Sequence, residues 1–215
     1  MTTDTSLRRD IIRIAQEMDH LGFAPSKSGN VSARAPHGLL ITPSALPYAQ
    51  TKPADLVLLD LDGKVLAGKQ PPSSEWRFHA AIYRARPEVN AIVHTHSPRA
   101  TALSCARRGL PAFHYMIAIA GGHDIRCAPY ATFGTQALSD HAVRALKDRK
   151  ATLLSNHGVI ALGTTLEAAL TVAKEVENLS GEYLDLLAAG LKPVILDKAE
   201  MKKVLAQFAA YGRKG

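Results

Sequence analysis

A chain of 215 residues with 47% hydrophobic residues is long enough for a sizeable core, and it has no apolar run that would span a membrane and no leader-like start, since residues 1–10 are polar. Two cysteines, Cys105 and Cys127, make no disulfide framework, so reduced thiols in a cytoplasmic protein are expected. The net charge of +7 comes from scattered Lys and Arg with few aromatics to stack bases, which argues against nucleic acid and suits a small anionic substrate or a solvated basic surface.

Residues 6–21 place Leu7, Ile11, Ile14, Ala15, Met18 and Leu21 on one helical face, and Gly22 supplies the stop. Ser28-Gly29-Asn30 leads into an alternating strand to Arg34, a turn at residues 35–38, and a returning strand at Leu39-Leu40-Ile41. Gly29 permits close backbone approach or a positive φ, and Asn30 offers a side-chain amide to an anion. Thr42-Pro43-Ser44-Ala45 ends that strand in a loop with two hydroxyls. A second hairpin is expected across Asp62-Gly63. Pro72-Ser73-Ser74-Glu75 opens a helix to about Arg86, with the two serines as caps and Glu75 in the first turn. Hydroxyls beside unpaired helix-start N–H groups make a phosphate seat, and an acid there also simply suits the helix dipole.

Ala91-Ile92-Val93-His94-Thr95-His96 reads as a short buried strand, which puts His94 and His96 on one face and Thr95 on the other. Ser97-Pro98 starts a helix to about Arg107. Residues 112–120 are an apolar stretch holding His114 and Tyr115, followed by a strand near Ile125-Arg126-Cys127 and a helix from Thr135 to Lys147. Strands at residues 151–154 and 159–162 flank Ser155-Asn156-His157-Gly158, so His157 sits at a strand end beside a glycine that leaves room around it. Thr164 to Glu167 is a capping box opening a long helix to Ala189, ended by Gly190. Residues 198–215 are expected as a basic tail with a short helical part, a mobile end and Tyr211. Residues 1–215 are read as one domain.

One His-x-His strand alone is equally a core strand with hydrogen-bonded histidines. Three imidazoles at strand ends with a glutamate at a helix start, however, match in ligand type a catalytic zinc centre with an exchangeable position. Neutral imidazoles leave the ion a strong Lewis acid, and the glutamate is suited to be a fourth ligand that swings away to act as a base. His20, His37, His79, His114, His123 and His141 are assigned to no metal.

Ser28-Gly29-Asn30-Val31-Ser32, Ile41-Thr42-Pro43-Ser44, Pro72-Ser73-Ser74-Glu75, Val93-His94-Thr95-His96, His114-Tyr115-Met116, residues 128–134 and Asn156-His157-Gly158 form a specific set. On these motifs the chain resembles the class II aldolase/adducin family from about residue 7 to 189. The resemblance implies an α/β fold: a three-layer α/β/α sandwich with a mixed, mostly antiparallel central sheet. It implies one Zn2+ per subunit on His94, His96 and His157, with Glu75 as a further ligand and acid/base. It implies substrate held by Gly29, Asn30, Ser44, the backbone at Ala45, Ser73 and Ser74. Tyr115 would donate a proton to a neighbouring subunit's site in a homotetramer, with Tyr211 a second contributor. The implied reaction cleaves a ketose 1-phosphate, L-fuculose 1-phosphate or a related 5-deoxy sugar phosphate, into dihydroxyacetone phosphate and an aldehyde.

Alternatives within the family are a 5-methylthioribulose-1-phosphate aldolase or dehydratase and a sugar-phosphate 4-epimerase. The family's epimerases carry aspartate where this chain has Glu75. A non-catalytic adducin-like binding module is disfavoured by the complete set of imidazoles and glutamate. Where the family usually has glycine this chain has Ala45, and a positive φ there would be costly.

Overall fold

The structure, a computed structural model, describes residues 4–211, with side chains described for 5–210. The chain runs α1 (Asp4–His20), β1 (Asn30–Ala35), β2 (Gly38–Ile41), β3 (Val57–Leu59), β4 (Val65–Ala67), α2 (Trp76–Ala85), β5 (Ala91–Thr95), α3 (Pro98–Cys105), β6 (Arg126–Ala128), α4 (Gln136–Ala145), β7 (Ala151–Leu154), β8 (Gly158–Gly163), α5 (Leu166–Ala188) and α6 (Lys198–Tyr211). A 3-10 helix occupies Tyr115–Ala120.

Among the described residues the strands form one sheet, ordered β4-β3-β2-β1-β5-β8-β7-β6. Its ladders are antiparallel except β6 beside β7, which is parallel. Strand alternation then splits the core between two faces. Val31, Val93 and Val159 join the side chains of α1, α3 and α5, whereas Ile41, Ile92 and Ile160 join those of α2 and α4. Helices therefore cover both sides of a mixed, mostly antiparallel sheet, the expected three layers. β1 and β5 lie side by side at its centre, with Asn30 opposite His94.

Four local expectations need correction. Leu21 is exposed, because the chain has already left α1 and turns at Gly22, where φ is 75°. The serines at 73 and 74 do not cap α2. Ser73 N–H is tied back to Thr42 O at 3.2 Å, so the segment follows the end of β2, and winding begins only at Trp76, with Glu75 in the N-cap position. The long helix α5 is capped by Thr165, whose hydroxyl accepts from Ala168 N–H, while Glu167 pairs with Arg13. The tail also differs from expectation. Residues 201, 204, 205 and 208 have i, i+3, i+4, i+7 spacing, and α6 buries Met201 and packs Val204, Leu205 and Phe208 onto the core beside the 3-10 helix. Residues 212–215, where a mobile end was expected, lie outside the described residues.

Candidate active site

Each candidate ligand is delivered by a different element. His94 stands on β5 and faces α2. His96 follows the strand, and its N–H donates to Phe23 O at 2.8 Å. His157 comes from the turn between β7 and β8. Its N–H donates to Leu154 O at 3.0 Å and reaches Ser104 Oγ on α3 at 3.3 Å. Glu75 arrives at the start of α2. Two glycines let these backbones close up. A Cβ on Gly158 would lie 2.3 Å from Thr95 O, and one on Gly29 would lie 2.8 Å from His94 O.

The four side chains converge. His94 Nε2 is 3.0 Å from His96 Nε2 and 3.1 Å from Glu75 Oε2, and His157 Nε2 is 3.1 Å from Glu75 Oε1. One ligand atom from each of the four lies within 4.8 Å of all the others. The three ring centroids are mutually 4.9 Å apart with interplanar angles of 77°, 77° and 86°, so the rings present edges to a common centre.

This arrangement fits a divalent metal ion. His94 Nδ1 lies 2.8 Å from Val159 O, an acceptor, so the ring proton is assigned to Nδ1 and the lone pair to Nε2. That lone pair faces a second imidazole nitrogen at 3.0 Å, a contact that needs a proton or a cation to be favourable. Glu75 Oε1 is buried and makes no hydrogen bond. Three nitrogens and one carboxylate, half of them buried and half facing the cleft, are a borderline donor set of the kind first-row divalent ions take. Burial, then the neighbouring His94 and His157, push His96 down to about 3, so it presents a neutral ring. Burial pushes the Glu75 carboxyl up, but the facing His94 and His157 outweigh it and hold that group well below the usual carboxylate range.

A cleft of about 280 Å3 opens onto the cluster, lined by Ser28, Ser74, Glu75, His96 and His157, with Tyr130 and Phe133 at its wall. Of the residues expected to hold substrate, Ser44 and Ser73 lie on adjoining loops joined by Ser44 N–H to Pro71 O (2.9 Å) and Ser73 N–H to Thr42 O (3.2 Å). Ser73 is buried and Ser74 is exposed at the cleft. Gly29 makes the close approach to β5 without a positive φ, and the Tyr48 hydroxyl donates to its carbonyl. Asn30 is buried, and its amide donates to Glu75 Oε2 at 3.0 Å, so one of its N–H groups is already engaged. Tyr115 is about half exposed and lines a separate groove with Met116, Val204 and Phe208, away from the cleft lining of its own chain. Tyr211 ends α6, and its side chain lies outside the described residues.

Ala45 adopts φ 58°, the conformation for which glycine is suited. The left-handed region costs a side-chain-bearing residue roughly 1–2 kcal/mol, while glycine gives back roughly half of that through the unfolded chain. Ala45→Gly is therefore expected to stabilise the protein by about 0.5–1 kcal/mol, seen as a higher urea midpoint at unchanged m-value. An equal or lower midpoint would refute the strain.

His79 and its neighbours Ser32 and Tyr83 were given no site role from the sequence, although His79 follows Glu75 by one helical step of four. Burial, then the neighbouring His94, push His79 down to about 3 from an ordinary value of 6.5, while Glu75 pulls the other way. Below pH 6.5 the unfolded chain takes up a proton that the native ring refuses, so stability is full above that pH and falls as pH drops toward 3. The slope from this one group is about 1.4 kcal/mol per pH unit. Metal-free His79→Gln should lose that component of the slope in urea unfolding between pH 6.5 and 4.5, and equal slopes in both proteins would count against a neutral native ring.

Among the described residues no helix is long and apolar enough to cross a membrane. The chain matches the sequence model described as Class II Aldolase and Adducin N-terminal domain over residues 9–184. A 5-methylthioribulose-1-phosphate/5-deoxyribulose-1-phosphate aldolase of Rhodospirillum rubrum is 50% identical over 207 residues, covering 96% of this chain and 93% of the relative. An L-fuculose phosphate aldolase of Escherichia coli strain K12 is also 50% identical, over 206 residues, covering 96% of this chain and 95% of the relative. A solved L-fuculose 1-phosphate aldolase superposes with a TM-score of 0.90 at 36% identity, covering 94% of this chain and 96% of its own. Matched by the family model over most of its length and by half-identical relatives nearly end to end, the chain belongs to the class II aldolase/adducin family.

Proposed function

We propose that the protein is a zinc-dependent aldolase that reversibly cleaves a ketose 1-phosphate to dihydroxyacetone phosphate and an aldehyde. The observation that carries this reading is the convergence of Glu75, His94, His96 and His157 within 4.8 Å at the floor of an open cleft. A Zn2+ held by the three imidazoles, with Glu75 as a further ligand, supplies Lewis-acid stabilisation of the negative charge that develops on the ketose oxygens. Glu75 handles the proton at the carbon that becomes nucleophilic, since it is the carboxylate nearest the imidazoles and stays ionised. Gly29, Asn30, Ser44, Ser73, Ser74 and the N–H of Ala45 hold the phosphate, which fixes orientation with binding energy remote from the reacting bond. Tyr115 exchanges a proton with the aldehyde oxygen at a neighbouring subunit's site in a homotetramer. Its exposure and its absence from its own cleft support that assignment. Tyr211 is a weaker contributor from the end of α6.

A second reading keeps the chemistry and changes the sugar. The Rhodospirillum rubrum and Escherichia coli relatives are equally similar to this chain, so a 5-deoxy or 5-methylthio ketose 1-phosphate is as well supported as L-fuculose 1-phosphate. The exposed rings of Tyr130 and Phe133 at the cleft favour an apolar end on the aldehyde half. A coupled assay for dihydroxyacetone phosphate, run on a panel of ketose 1-phosphates with and without chelator, decides both points. Release that chelation abolishes and zinc restores is expected. A 4-epimer or a dehydrated product in place of dihydroxyacetone phosphate would overturn the aldolase reading.

A further inference from the structure

Behind Glu75 and Asn30 lies a row of buried polar groups, His79, Ser32 and Tyr83, that the reaction described above leaves unused. Helix α2 presents Glu75, His79 and Tyr83 four residues apart on one stripe, and β1 presents Asn30 and Ser32 on the opposing face. Four helical residues rise about 6 Å and two strand residues about 6.8 Å, so the two elements mesh step for step. Asn30 Nδ2 donates to Glu75 Oε2 at 3.0 Å, and His79 Nε2 lies 2.5 Å from Asn30 Oδ1. Ser32 Oγ lies 2.7 Å from His79 Nδ1 and 2.9 Å from the Tyr83 hydroxyl. None of Asn30, Ser32, His79 and Tyr83 is more than 3% exposed, so bulk water does not compete for these bonds.

The direction of the chain follows from what each atom can do. A carboxylate only accepts, so Asn30 must turn its NH2 group to Glu75. Its carbonyl then needs a donor, which puts the His79 proton on Nε2. His79 Nδ1 is left to accept from the Ser32 hydroxyl, and the Ser32 oxygen accepts from Tyr83. Every donor points toward Glu75. The opposite His79 tautomer would set a bare nitrogen against Asn30 Oδ1 and favour a flipped amide, with its oxygen against Glu75.

We propose that His79 is a positioning residue: as the Nε2–H tautomer it fixes which way the Asn30 amide sits, and through it holds Glu75 Oε2 in its working orientation. This rests on the reading of Glu75 as the acid/base of an aldolase.

Two measurements test it. Long-range 1H–15N correlation spectra of metal-free and zinc-loaded protein near pH 7 should show His79 neutral with its proton on Nε2 in both states. A proton on Nδ1, or a charged ring, overturns the proposal. The second measurement compares His79→Leu with His79→Gln, whose amide nitrogen reproduces the donor at Nε2. The leucine variant should lose about 10- to 100-fold in kcat while keeping its zinc and a KM within about threefold, and the glutamine variant should recover most of that loss. Equal losses in kcat, or a change confined to KM, overturn it. Should His79→Leu fail to fold, the spectra of the unaltered protein decide alone, because they need no variant. Wild-type protein that cleaves no ketose 1-phosphate sinks the aldolase reading and this role with it, whereas equal losses in an active background sink this role alone.

Discussion

Glu75→Gln should leave zinc bound and remove most of the turnover. Glutamine keeps the length of the side chain and one oxygen able to face the metal and accept from Asn30 Nδ2, now 3.0 Å from Glu75 Oε2. His94, His96 and His157 are untouched, so three ligands remain, the usual complement of a catalytic zinc centre. What is lost is the ability to take and return a proton, a contribution of roughly 10²–10⁴ in rate for a positioned acid/base group. The metal-free variant should fold less well than the parent near neutral pH, because the facing His94 and His157, which outweigh burial and favour the ionised carboxylate, lose that partner. Dihydroxyacetone phosphate release and zinc content, measured on the same preparation, check both halves. Normal turnover would take Glu75 out of the mechanism, and lost zinc would make it chiefly a ligand.

How far the site was legible depends on how local its causes are. His94 and His96 share a face because a strand has a period of two, and that is visible in six residues of sequence. His157 is legible from the turn it occupies and from Gly158, whose missing Cβ is what allows Thr95 O to come close. The start of α2 was misplaced because Ser73 and Ser74 have the composition of caps, yet Ser73 is bound to Thr42 at the end of β2, a contact that nothing local announces. The row from Asn30 to Tyr83 was invisible for the same reason. It exists only because α2 crosses β1 at one particular register. The mixed, mostly antiparallel sheet followed from the family resemblance, but its strand order was not legible, since β1 pairs with β5 across some sixty intervening residues and no turn chemistry dictates that pairing. The extent of α6 was not legible from its basic composition, because what holds the helix is the packing of Met201, Val204, Leu205 and Phe208 against a 3-10 helix some ninety residues earlier.

His157→Ala should separate the metal's contribution to the fold from the fold itself. His157 sits in a turn at the cleft, only partly buried, and its backbone is held by Leu154 O and Ser104 Oγ, bonds that an alanine keeps. Without metal the variant should therefore unfold within about 1 kcal/mol of the parent, the range of a substitution that opens no closed cavity. The same protein with zinc should behave very differently. An ion that binds only the native state stabilises it by about 4 kcal/mol at a thousand times its dissociation constant, which is about 10 °C or more in Tm for a chain of this length. Losing one of three imidazoles should remove most of that gain, because the remaining pair, His94 and His96, with Glu75 cannot enclose the ion from the side that His157 occupied. The parent is thus expected to melt far higher with zinc than with chelator, and His157→Ala to melt nearly alike in both, with turnover lost. A variant that kept the full zinc-dependent shift would mean that the ion is held elsewhere, and that the 4.9 Å approach of the His157 ring to its two neighbours serves packing rather than coordination.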